Sequence, residues 1–180
     1  GATADGVLGQ PDFTSTGDNT TQNGMSGPEG ITIDSTGNLF VADLDNHRVL
    51  RFNNAAVKAN GANADAVLGQ PDFTSSATTA SATGTGSVRG VAIDSLGQLY
   101  VSDADNNHRI LVYQNAATLS NGAAASYVLG QPNFTSNTAN NGGVSATSLS
   151  LPFGLFFDNA KDSLWVADFN NRRILRYAPP

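Results

Sequence analysis

The string Val-Leu-Gly-Gln-Pro-Asp-Phe-Thr-Ser fills Val7–Ser15 and returns unchanged at Val67–Ser75. It appears again at Val128–Ser136, with Asn133 in place of the Asp. The steps are 60 and 61 residues. A second block follows each copy: Gly30–Phe52, Gly90–Tyr113 and Gly154–Tyr177. Self-similarity at a fixed period means that one supersecondary unit is used three times, and such units bury their faces against one another. The second block gains one residue near Asn107 and the third gains one near Lys161. Both insertions fall at turn sequences, where an extra residue disturbs no strand ladder.

Each unit reads as short strands. In the first, Ile31–Ile33 is closed by the turn Asp34–Gly37, Leu39–Ala42 by Asp43–Asn46, and Val49–Phe52 follows. The Val-Leu pair of the repeated string supplies a fourth strand, ended by Gly and Pro. Leu39–Ala42, Leu99–Val101 and Leu164–Ala167 are apolar on both faces rather than alternating. A half-solvated antiparallel sheet would alternate, so these sheets are covered on both sides. No segment is long and periodic enough to supply covering helices, so neighbouring sheets must do it. The expected fold is all-β: a β-propeller of four-stranded antiparallel blades, three blades per chain, in a single domain over 1–180. Its repeats run approximately over 6–52, 66–113 and 127–177.

The pattern Pro-x-Gly-(Ile/Val)-x-(Ile/Val)-Asp-x-x-Gly-x-Leu-(Tyr/Phe)-Val-(Ala/Ser)-Asp-x-x-Asn-His-Arg-(Ile/Val)-Leu-x-(Phe/Tyr) closely resembles the NHL repeat. It covers about 24 residues in each copy, departing at Val88, where the others have Pro28 and Pro152, and at Arg172, where they have His47 and His108. The resemblance implies a propeller of which six blades is a common count. Three blades leave two apolar faces bare, and the chain opens on a lone outer strand around Gly6–Gly9 and ends on a third strand, Ile174–Tyr177. The expected partner is therefore a second copy, the homodimer exchanging its N-terminal strands to close six blades. A piece of a longer propeller, cut at a blade boundary, is the plainer alternative, and the missing initiator Met reads as a processed, excised or engineered chain.

Composition removes whole classes of function. The chain has 180 residues, no Cys, two Lys, one Glu and a formal net charge of -6. Without Cys there are no disulfides, thiolate metal sites or thiol nucleophiles. The acidic balance argues against a nucleic-acid partner. No run of residues is long and apolar enough for a membrane span. Few Lys, no Cys and abundant Asn, Thr and Ser suit an extracellular or periplasmic bacterial protein. The sequons at Asn19 and Asn133 are what an Asn- and Thr-rich repeat produces by chance.

Segments of 19 to 22 residues (11–29, 71–89 and 132–153) join each outer strand to the next innermost strand, all on one face. Loops this long are usually functional or disordered. Glu29, Arg89 and Phe153 share one register position, directly before the Gly of each innermost strand, which places them at the mouth of the central channel. An acid, a base and an aromatic at one repeated position suggest differentiation for a ligand; drift at a solvated loop end is the simpler reading. Ala55–Ala59 and Ala116–Leu119 are expected to form one helical turn each, ended by Gly61 and Gly122. The Asp43-Asp45-Asn46 and Asp103-Asp105-Asn106 groups begin like a calcium loop but lack its Gly and bidentate Glu, and Asx turns explain them. Arg48, Arg109 and Arg173 recur after Asp43, Asp103 and Asp168, which suggests charge-assisted bonds tying turns together. His47 and His108 are too few and too far apart for a catalytic zinc.

No catalytic motif or cofactor-binding signature is present. The expected function is non-enzymatic: a binding or scaffold protein for an unknown small-molecule or protein ligand, with no cofactor. A metal-dependent hydrolase or lyase with Glu29 among its ligands is the alternative.

Overall fold

The structure, a computed structural model, describes residues 1–179. Eleven strands form three antiparallel sheets. Blade 1 holds β1 (Pro28–Ile33), β2 (Leu39–Asp43), β3 (Arg48–Phe52) and β4 (Ala66–Leu68). Blade 2 holds β5 (Val88–Ile93), β6 (Leu99–Asp103), β7 (Arg109–Tyr113) and β8 (Tyr127–Leu129). Blade 3 has three strands: β9 (Pro152–Asp158), β10 (Ser163–Asp168) and β11 (Arg173–Tyr177). Each sheet is an up-and-down meander with β1, β5 and β9 innermost, and these three strands lie side by side.

The tight turns follow from the residues at them. At the β1–β2 turn Asp34 Oδ1 accepts the amides of Thr36 and Asn38, and Gly37 supplies the left-handed φ of 87° that closes it. At the β2–β3 turn a left-handed residue falls on His47 in blade 1, His108 in blade 2 and Arg172 in blade 3. That is the position of the two histidines: they shape a turn.

The core lies between sheets. Phe40, Ala42, Val49 and Leu68 of blade 1 meet Val91, Ile93, Leu99, Val101 and Leu111 of blade 2. Ala92, Tyr100, Ile110 and Val112 on the opposite face of blade 2 meet Phe157, Leu164 and Val166 of blade 3. Both faces of blade 2 are thus covered by sheets, as the missing alternation requires.

Two expectations change. The helical turns are 3-10 and three residues long, Ala55–Val57 and Ala116–Thr118, each ending in an extended residue (Lys58, Leu119) rather than at the glycines. The Gly6–Gly9 segment is not a strand, because no neighbouring strand lies beside it. It is held instead through Val7, whose N–H donates to Asn60 Oδ1 (3.1 Å) and whose carbonyl accepts from Gly61 (3.0 Å).

Candidate functional site

Each innermost strand loses register with its neighbour at one place: between Pro28 and Ile31, between Val88 and Val91, and opposite the Val166–Asp168 step, which spans Phe153 and Gly154. Such bulges re-aim side chains. The bulged pairs are Glu29–Gly30, Arg89–Gly90 and Phe153–Gly154, and the bulges bring Glu29, Arg89 and Phe153 together. Arg89 Nη1 pairs with Glu29 Oε1 at 2.8 Å, and the Arg89 guanidinium carbon stands 4.6 Å from the centre of the Phe153 ring. The register position singled out from sequence is therefore one continuous contact across three blades.

Two residues at this rim were missed. Asp105 binds Arg89 from the other side, Nη2–Oδ2 2.9 Å and Nε–Oδ1 3.2 Å, so its carboxylate does more than shape a turn. Phe169 stacks on Phe153 at 4.7 Å, with the planes 16° apart. The signal for Phe169 was present: Leu44 and Ala104 hold its register position, so the third repeat turns aromatic at two neighbouring places at once. The Asp105 bond holds the guanidinium above the ordinary arginine range; burial opposes it, and Glu29 adds a smaller push upward. Glu29–Ile31, Arg89–Val91 and Phe153–Leu155 line a recess of about 320 Å³. A larger one, about 460 Å³, lies between Gly69–Pro71, Thr83, Gly84 and Asn121, with no charged side chain in its lining.

The repeated Asp–Arg pairs are structural. Asp43 accepts from Arg48 Nε (2.7 Å), Asn46 Nδ2 (2.9 Å) and the Ser26 amide (2.7 Å), with both partners of the ion pair fully buried. Arg48 also donates from Nη2 to the carbonyls of Thr21 and Gly24 (2.9 Å each), and from Nη1 to that of Phe73. Arg109 repeats the arrangement with Asp103, Ser81, Gly84 and Phe134. In blades 1 and 2 one buried guanidinium thus pins the long connecting loop that carries the mouth residue. Burial pushes the Asp103 carboxyl upward, against the pull of Arg109. These carboxylates are filled by protein donors, which answers the calcium reading. Among the described residues no three His, Asp or Glu side chains gather as a metal-binding group.

Short four-stranded sheets stacked face on face in chain order define a β-propeller. The NHL repeat family model matches at two positions, residues 25–52 and 85–113. No curated protein matches it. Among solved structures it is similar to an auxiliary nutrient binding protein from Bacteroides thetaiotaomicron VPI-5482: 16% identity, TM-score 0.61, covering 94% of this chain and 43% of that one. It is also similar to virginiamycin B lyase from Staphylococcus aureus: 15% identity, TM-score 0.48, covering 86% of this chain and 42% of that one. The chain therefore spans less than half the length of either. Among the described residues no helix is long and apolar enough to cross a membrane.

Proposed function

We propose that this chain is a non-enzymatic binding module that takes a small-molecule or protein ligand at the channel mouth. The observation that carries the reading is the contact of Glu29, Arg89 and Phe153, three different chemistries at one repeated position, around a recess. The fold is shared with a nutrient-binding protein, which fits this reading. The metal-dependent alternative has less support, because Arg89 already pairs with both Glu29 and Asp105.

The mouth belongs to a ring that a second copy closes. Ile31 and Ile33 on one open face are 68% and 55% exposed, whereas their counterparts Val91 and Ile93 are buried. Phe156, Trp165 and Ile174 stand open on the other face, where Ala92, Tyr100 and Ile110 are buried in blade 2. Burying an apolar side chain of this size contributes about 1.5–3 kcal/mol. A two-fold ring covers ten of them, each already part-buried, and this apolar burial is what offsets the roughly 4–15 kcal/mol that association costs.

Light scattering coupled to size exclusion tests the ring: two chains of 18.5 kDa each are expected, and a single-chain mass overturns it. The mouth is tested by a thermal-shift screen of small molecules and peptides on the chain and on Arg89→Ala. Compounds that stabilise the first and not the second are expected; compounds that stabilise both equally overturn the mouth as the site.

A further inference from the structure

Resting on the two-copy ring above, we propose that residues 6–8 of a second copy form the missing outer strand of blade 3, with residues 9–13 as the bend that follows it, and that Arg173 is the receptor that locks this segment in place. Within the chain this segment already sits as an outer strand sits. Val67 of β4 donates to Asn121 Oδ1 (3.0 Å) and accepts from Gly122 (3.1 Å) across the gap to blade 2. Val7 makes the same two bonds, to Asn60 and Gly61 of blade 1. Residues 6–8 are therefore placed as the edge of a blade whose other strands the described residues do not supply.

Blade 3 carries the complementary gaps. Its order is β9–β10–β11, and among the described residues nothing pairs with the outer edge of β11. Arg173 keeps the bonds of its counterparts to Asp168 (2.7 Å), Ser145 and Ser148 (2.8 Å each). Its Nη1 has no acceptor among the described residues. In blades 1 and 2 that acceptor is the carbonyl of Phe73 or Phe134. The third member of that set is Phe13, whose ring is 55% exposed, while Phe73 and Phe134 pack against core clusters.

Gln10 shows the same gap. Gln70 Nε2 donates to Ala77 and to the turn carbonyl of His47 (2.8 Å each), and Gln131 reaches the carbonyls of Thr138, Asn107 and His108. Among the described residues Gln10 reaches only Gly17 (2.8 Å). Its unfilled counterpart is the carbonyl of Arg172 on blade 3.

The register fixes the pairing. Val49 lies opposite Leu68, and Ile110 opposite Leu129. Ile174 then lies opposite Leu8 of the second copy. The pairing is reciprocal, as a closed two-fold ring requires.

The chain has no native Cys, so the test is direct. Leu8→Cys and Ile174→Cys are made in separate chains, mixed, and oxidised. A disulfide-linked heterodimer that neither single variant forms alone is expected. A two-chain mass with no cross-link between these positions overturns the strand exchange and leaves the ring standing; a single-chain mass for the native protein overturns both. Should a variant fail to fold, hydrogen exchange on the native chain serves instead. The amides of β11 are expected to be as protected as those of β7, and exchange faster by tenfold or more overturns the proposal.

Discussion

Gly90 lies against the carbonyl oxygen of Phe153, leaving no room for a methyl group, and Gly30 lies in the same way against the carbonyl of Arg89. The innermost strands approach this closely because the residue after each mouth position has no side chain. Gly154, the third in the series, has nothing nearer than the Ala167 methyl, at 3.9 Å. Gly90→Ala is therefore expected to destabilise the chain by about 1–3 kcal/mol in urea unfolding, the usual cost of forced overpacking. Gly154→Ala is expected to leave the single chain as stable as before. In the proposed ring, however, its methyl meets the carbonyl of Glu29 of the second copy, so light scattering should show the variant shifted to single chains.

Burial separates two arginines that each pair with an Asp. Arg109 and Asp103 are both fully buried, whereas Arg89 keeps a quarter of its side chain exposed beside Asp105. Removing one partner of a buried pair leaves an uncompensated charge and costs about 3–5 kcal/mol. A partly solvated pair contributes about 0–1 kcal/mol. Arg109→Ala is expected to lose most of the stability of the chain, and Arg89→Ala almost none, in parallel denaturant titrations. That contrast also makes Arg89→Ala a clean variant for ligand screening.

The blades were legible in the sequence because a threefold repeat fixes register, and that register alone sets Glu29, Arg89 and Phe153 at one position. Asp105 was not legible as their partner. It sits on the β6–β7 turn, and only the bulge at Arg89–Gly90 aims the guanidinium back at it. Periodicity marks which residues face a neighbouring blade but not where a strand loses step. The lone strand at Gly6–Gly9 failed for another reason: a strand is defined by its ladder, and the described residues offer this segment no partner. The same repeat that suggested the strand still identifies it, through the two bonds of Val7.

Asp12 illustrates how a repeated turn responds to acid. Its Oδ1 accepts the amides of Thr14 and Ser15 and both their hydroxyls, at 2.8 to 3.0 Å. These bonds, the Thr14 hydroxyl first, bring its carboxyl down from 3.8 to about 2. Asp72 is lowered in the same way, first by the Thr74 amide. A depressed carboxyl contributes stability that is fully present above its unfolded value and is lost as pH falls through its folded value. The window here is from about pH 4 down to about pH 2. Asn133 makes the same four bonds in the third repeat without a titrating group. The double variant Asp12→Asn and Asp72→Asn should therefore keep its turns and its midpoint at neutral pH, and lose less stability than the native chain across that window. Thermal unfolding followed by circular dichroism at stepped pH reads this directly. An acid limb unchanged from the native chain would mean that these turns open without cost to the blades, and that the acid response rests on the other carboxyls the fold lowers, Asp34 and Asp65.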